Sequence, residues 1–198
     1  RTDSPMLNRL ITGNYLFRMG ARVGTALVQV LQIPHIFLPR VAAVSGVGPK
    51  KAVMSIFHGT SVANDVMETV IKDAVQNQSY KSWFDAPITT NSILNSTIPE
   101  PMKQFMVLYN NMYGLGVHSL AQVLNHQHTA HEFGTTLKGQ AASAYDTFQK
   151  MATSMVYYGE AYSRVLAAAA AFEAYPGEKT SPEGLRKAVE FAGKMTAD

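Results

Sequence analysis

The stretch that decides the fold is residues 140–175, QAASAYDTFQKMATSMVYYGEAYSRVLAAAAAFEAY. Apolar side chains recur in it at alternating spacings of four and three residues, which is the pattern of one continuous helical core face. The members of this face are Ala144, Phe148, Met151, Met155, Tyr158, Tyr162, Val165, Ala169 and Phe172. The spacing predicts a single long helix, about 54 Å from end to end at 1.5 Å per residue.

The back of this predicted helix is apolar as well, and the alanines at 167–171 allow neighbours to approach closely. A helix that is apolar nearly all round is buried by several neighbours, so we expect other polypeptide to surround it on most sides. A Pro-Gly pair at 176–177 ends it. Ser181 and Pro182 then supply an N-cap and a first-turn proline for a short C-terminal helix over 183–195.

Helical spacing also dominates the rest of the chain, which predicts an all-α fold. We expect an elongated helical domain in which residues 1–198 form a single unit or a piece of a larger chain. Before the long helix, Pro49 opens a helix that Gly59 closes. A second helix, capped by Ser61, would end near Gln76.

Residues 77–101 have a different amino-acid composition, which is rich in Asn, Ser, Thr and Pro. This segment is long for a connection without structure in a compact domain. We therefore predict a long loop or an arm that contacts a partner, with a short strand around Ile93. Helical spacing resumes over 102–113.

Composition excludes several classes of function. The chain has no cysteine, which removes disulfide frameworks, cysteine-bound zinc, iron–sulfur clusters and thiol catalysis. Charged residues make up only 16% of the sequence and hydrophobic residues 46%. Low charge and this much apolar bulk indicate that part of the surface faces other protein.

Positive charge is concentrated in the first third of the chain. Residues 1–58 contain seven basic residues against Asp3 alone, whereas the remainder contains ten basic and thirteen acidic residues. Any affinity for phosphate or acidic lipid should therefore lie in residues 1–58. The segment 23–39 lacks formal charge, but its two prolines and its polar side chains favour packed soluble helices over a membrane span, so membrane contact is possible but not favoured.

No constellation in the sequence supports catalysis. The serines lie in no Gly-x-Ser-x-Gly turn, and no carboxylate is placed to orient a histidine. His128 and His131 could share a helix face and bind a metal, but His126 would point elsewhere unless the segment is a loop. We take these three histidines as a polar helix end and predict no metal, no cofactor and no enzymatic activity for this segment.

Glu160 and Arg164 are four residues apart on the predicted long helix and can form an ion pair across one turn. On an exposed surface such a pair contributes only about 0.3–0.5 kcal/mol. If the pair is partly buried, its role is to fix the orientation of packing.

The sharpest local motif runs from Val44 to Ala52, Val-Ser-Gly-Val-Gly-Pro-Lys-Lys-Ala, with further apolar residues up to Phe57. It resembles the helix-hairpin-helix DNA-binding motif, in which a Gly-hydrophobic-Gly turn exposes backbone N–H groups to a DNA phosphate. The resemblance implies that Gly46, Gly48, Lys50 and Lys51 contact phosphate. Two glycines let the backbone approach an anion, the helix dipole favours it, and the lysines add charge. Plain turn chemistry between two helices is the alternative, and the prolines at 34 and 39 predict a bend in the first arm.

A second resemblance covers more of the chain. It is carried by Gln32-x-Pro34, Pro39, an Ala-rich stretch, the glycine turn and a Lys-Ala helix within residues 29–59. Within 148–197 it continues through Phe148, Glu160-Ala161-Tyr162-Ser163-Arg164, an Ala-rich tract, Pro176-Gly177 and Leu185-Arg186-Lys187-Ala188. Together these are similar to helical regions of the internal virion proteins that short-tailed phages eject with their DNA, including the C-terminal parts of giant virion-packaged polymerases.

This second resemblance implies a structural role. The chain would be an assembly module of an ejected protein, packed inside the virion and located in the host cell envelope after ejection. Its partners would be other virion proteins or copies of itself, and phage DNA where the basic first third touches it. The alternative function is a DNA-binding domain built on the turn at Gly46–Lys51.

Overall fold

The computed structural model describes residues 37–77, 87–115 and 158–196, and within these ranges the chain forms six helices and no strand. The predicted all-α fold is confirmed. In chain order the helices are α1 (Leu38–Ser45), α2 (Pro49–Asn77), α3 (Thr90–Asn95), α4 (Glu100–Tyr113), α5 (158–174) and α6 (Pro182–Thr196). Helix α1 packs on α2, α2 on α3, α3 on α4, and α4 on α6. One continuous core of buried apolar side chains joins them.

Helix α5 is the described part of the long helix predicted over 140–175, and it is deeply buried. Val165 and the alanines at 168–171 are fully excluded from solvent. The Phe172 ring packs against Phe105 of α4, with 4.6 Å between ring centroids. The expected burial is therefore confirmed for 158–174, and α2 and α4 of the same chain contribute to it. Residues 140–157 lie outside the described residues.

Helix α2 corrects the prediction of two helices divided at Gly59, because it runs unbroken from Pro49 to Asn77. A glycine inside a helix costs about 1 kcal/mol relative to alanine, which favours a break in an isolated chain. Here Gly59 lies against α5, where a Cβ atom would be 3.0 Å from the Ala170 Cβ. Close packing of the two helices, and not a helix end, explains this glycine.

Residues 87–99 are the described part of the segment predicted as a loop or arm over 77–101, and residues 78–86 lie outside the described residues. The strand predicted around Ile93 is wrong, because a short helix forms there and packs onto α2 and α4. Thr89 and Ser92 form a capping box, in which each side chain accepts a hydrogen bond from the other residue's backbone N–H. Such a box starts a helix, and Ile93 is fully buried on it. The turn that follows is tied to α2, because the Thr97 N–H and hydroxyl both donate to the Asp65 carboxylate at 2.7 Å.

Helix α6 begins where the sequence predicts. The Ser181 hydroxyl oxygen accepts a hydrogen bond of 3.1 Å from the Gly184 N–H, as an N-cap does. The Glu178 carboxylate in turn accepts hydrogen bonds from the backbone N–H groups and the hydroxyls of Thr180 and Ser181. These four donors lower the pKa of Glu178 to about 2, with the Ser181 hydroxyl as the largest cause.

Candidate nucleic-acid interface

The turn between α1 and α2 is a tight, glycine-bounded hairpin. Gly46 ends α1 in the left-handed conformation, with φ 62° and ψ 11°, which L side chains rarely adopt. The Gly48 carbonyl oxygen accepts hydrogen bonds from the N–H groups of Lys51 at 3.0 Å and Ala52 at 3.2 Å, and thereby closes the first turn of α2. Residues 46–48 thus connect two helices that pack on each other.

The start of α2 is open to solvent. Gly48 is exposed, and a Cβ atom added there would meet no other atom within 4 Å. Pro49 has no N–H, so Gly48 and Lys50 carry the outermost backbone donors at this helix end. The side chains of Lys50 and Lys51 are exposed beside them. Positive charge, the helix dipole and a backbone without side-chain obstruction therefore coincide, which is the arrangement that binds anions at helix N-termini.

Pro39 does not distort the first arm of the hairpin. It occupies the second position of α1, where a backbone N–H has no partner within the helix whatever the residue. The missing N–H of proline therefore costs no hydrogen bond there. Further along α1, Val41 is buried against the rest of the molecule. The arm is helical from Leu38 to Ser45, so Pro39 does not interrupt it. Pro34 lies outside the described residues.

Helices α2 and α5 lie antiparallel, and three contacts fix their register. The Tyr162 hydroxyl donates to Asn64 Oδ1 at 2.9 Å, Gly59 faces Ala170, and His58 Nδ1 lies 4.0 Å from Glu173 Oε2. Residues of α2 that lie nearer its N-terminus therefore contact residues of α5 that lie nearer its C-terminus. The hairpin therefore lies beside the end of α5 and the loop that follows it.

Lys179, in that loop, approaches the hairpin. Its ammonium group donates to the Glu173 carbonyl oxygen at 3.1 Å and lies 4.9 Å from the centroid of the Phe172 ring. Burial lowers the pKa of Lys179; the Glu173 carboxylate opposes this effect, and the positive charge of Lys51 adds to it. Sequence reasoning missed Lys179, because only the antiparallel register of α2 and α5 brings it to Lys51.

The structure brings Gly46, Gly48, Lys50 and Lys51 together at one exposed turn. Glu160 and Arg164 belong to α5, where Arg164 Nη2 donates to Glu160 Oε1 at 2.8 Å. Both side chains of this pair are about one third exposed or more, so its contribution to stability is a few tenths of a kcal/mol.

His126, His128 and His131 lie outside the described residues. Among residues 37–77, 87–115 and 158–196, no group of three or more histidine or carboxylate side chains is arranged to hold a metal ion. None of the helices in these ranges is both long enough and apolar enough to cross a membrane.

No protein-family model, curated protein or solved structure matches this chain.

Proposed function

We propose that the chain binds the phosphate backbone of duplex DNA through the hairpin between α1 and α2. The observation that carries the proposal is the open helix start at Gly48, with Lys50 and Lys51 exposed beside it and the left-handed Gly46 shaping the turn. Backbone N–H groups and lysines contact phosphate without reading bases, so binding would be independent of sequence and sensitive to salt.

The experiment is a salt titration of duplex binding by fluorescence anisotropy. The double variant Lys50→Gln/Lys51→Gln should reduce the slope of log K against log salt by about 1.8, since each lost phosphate contact contributes about 0.9. A matched control is Lys72→Gln/Lys194→Gln, which removes two exposed positive charges from other parts of the surface. The proposal fails if the first double variant keeps the affinity and the slope of the unmodified chain.

A second candidate function is an assembly module of an ejected phage virion protein, and one surface favours it. Val53, Met54 and Phe57 form an apolar stripe on the outside of α2, at helical spacing, and Phe57 is 66% exposed. Large apolar side chains exposed side by side are typical of surfaces that contact other protein. We take a second copy of this chain as the occupant, consistent with the low content of charged residues.

Light scattering after size-exclusion chromatography tests the assembly module. The unmodified chain should associate, and Met54→Ser/Phe57→Ser should shift it toward the monomer. Val75→Ser is the matched control, because Val75 is 63% exposed near the other end of the same helix. A chain that stays monomeric over the whole concentration range, with its apolar stripe intact, would contradict this second function.

A further inference from the structure

We propose that Lys179 gives the DNA interface one further phosphate contact, next to the hairpin and contributed by the loop between α5 and α6. The inference rests on the proposed DNA-binding function and adds a residue remote in sequence. If it is right, the interface is formed by two separate segments of the chain, the turn at 46–51 and the loop at 175–181.

The position of Lys179 follows from the packing of α2 on α5. Asn64 contacts Tyr162, and His58 contacts Glu173. The second contact is therefore closer than the first to the start of α2 and to the end of α5. Lys51 lies two helical turns before His58 on α2, so in the same register it faces the loop that follows Glu173. Lys51 and Lys179 therefore flank one surface, although 127 residues separate them in the sequence.

The ammonium group of Lys179 is held in place and has further N–H donors for a ligand. A lysine ammonium has three N–H donors. Among the described residues, one of them is directed at the Glu173 carbonyl oxygen, and the ring of Phe172 lies beneath the group. A cation that is already positioned loses less side-chain entropy when it binds a ligand than a freely moving lysine does.

The charges around this surface favour an anion between the two lysines. Burial lowers the pKa of Lys179, and the nearby positive charge of Lys51 lowers it further. Glu173 offsets part of this repulsion, and its carboxylate also faces His58 at 4.0 Å. Glu178, next in sequence to Lys179, is a second ionised carboxylate, and its oxygens are already occupied by the N–H groups and hydroxyls of Thr180 and Ser181. The three lysines at 50, 51 and 179 still outnumber these two carboxylates, so the surface favours a phosphodiester beside Lys51 and Lys179.

The test uses the full chain and a labelled 20-base-pair duplex over a series of salt concentrations. Lys179→Gln should reduce the slope of log K against log salt by about one unit, which corresponds to one phosphate contact. Lys179→Arg keeps the charge and should keep the slope. Lys194→Gln removes one exposed charge from α6 and is the control for a general loss of positive charge.

A capping role alone is the competing explanation, since Lys179 binds a carbonyl oxygen near the end of α5. In that case Lys179→Gln would lower the melting temperature and leave the salt slope unchanged, which overturns the inference. If Lys179→Gln keeps its slope while Lys50→Gln/Lys51→Gln loses about 1.8 units, only the inference fails. If neither variant changes the slope, the proposed DNA-binding function fails as well.

A second measurement needs no variant, so it stands even if Lys179→Gln does not fold. Lysine acetylation of the unmodified chain, read by mass spectrometry with and without duplex, should show protection of Lys50, Lys51 and Lys179. Lys194 should be modified equally in both samples. Full reactivity of Lys179 in the presence of bound duplex would contradict the proposal.

Discussion

Gly59 of α2 faces Leu166 of α5 so closely that a Cβ atom at position 59 would lie 2.7 Å from the Leu166 carbonyl oxygen. The same atom would meet the backbone nitrogen of Ala170 at 3.1 Å. Backbone atoms of a packed helix cannot rotate aside as a side chain can. The separation of α2 and α5 is therefore set by the absence of a side chain at this one position.

Gly59→Ala should consequently destabilise the fold, although alanine is the better helix former. Overpacking costs roughly 1–3 kcal/mol, whereas the gain in helix propensity is about 1 kcal/mol. Thermal and urea unfolding would measure the difference. Ser61→Ala, at an exposed position of the same helix, is the control and should change stability by less than about 0.5 kcal/mol. Equal or higher stability of Gly59→Ala would show that the two helices can separate without cost.

The two glycines of the hairpin should respond differently to alanine. Gly46 has a positive φ, so Gly46→Ala should lower stability by about 1–2 kcal/mol through backbone strain. Gly48 is not among the glycines with positive φ, and its surroundings are open, so Gly48→Ala should fold normally. Its added methyl group would nevertheless stand where a phosphate approaches the helix start. We expect Gly48→Ala to bind duplex DNA more weakly while its unfolding curve stays unchanged, unlike Gly46→Ala. Unaltered duplex binding by Gly48→Ala would contradict the role of this turn.

The cap formed by Glu178 should make stability depend on pH in the acidic range. Its pKa is about 2 in the folded chain against an ordinary value of 4.5, so the folded state favours the ionised carboxylate. The stabilisation is complete above about pH 5 and is lost as the pH falls toward 2. Glu178→Gln should be less stable than the unmodified chain at pH 7, and this difference should vanish near pH 2.

Gln104→Ala, at an exposed position of α4, changes no titratable group and is the control for the pH profile, so its difference from the unmodified chain should stay constant with pH. Unfolding midpoints measured by circular dichroism from pH 7 to pH 2 would separate the two variants. A gap between Glu178→Gln and the unmodified chain that stays constant over this range would refute the ionised cap.

The hydrogen bond between Tyr109 and Thr196 joins α4 to α6, with 2.6 Å between the two hydroxyl oxygens. Burial raises the pKa of Tyr109, which keeps its hydroxyl neutral. Tyr109→Phe should cost about 0.5–1.5 kcal/mol. In a double-mutant cycle with Thr196→Val, the second substitution should then cost little more, and strictly additive losses would indicate that the two hydroxyls act independently.

Local patterns in the sequence predict the helices well, but not what meets across the fold. The apolar stripe of α5 and the N-cap at Ser181 are local signals, and both appear in the structure as predicted. Gly59 looks like a helix end until the neighbouring helix is known, and Ile93 looks like a strand residue until Thr89 and Ser92 cap it. The turn at Gly46–Lys51 is recognisable in the sequence as a motif, whereas Lys179 carries no signal of its own. Its position depends on a tertiary register that no local pattern encodes.

The unbroken course of α2 couples two distant parts of the molecule mechanically. Its first turn carries the exposed hairpin, and Asp65, further along the same rod, grips the turn at Thr97. At 1.5 Å per residue the helix is about 43 Å long, and Asp65 lies near its middle. A ligand that displaces the first turn of α2 would therefore act on the same continuous helix that carries Asp65, and the two hydrogen bonds to Thr97 would resist that displacement.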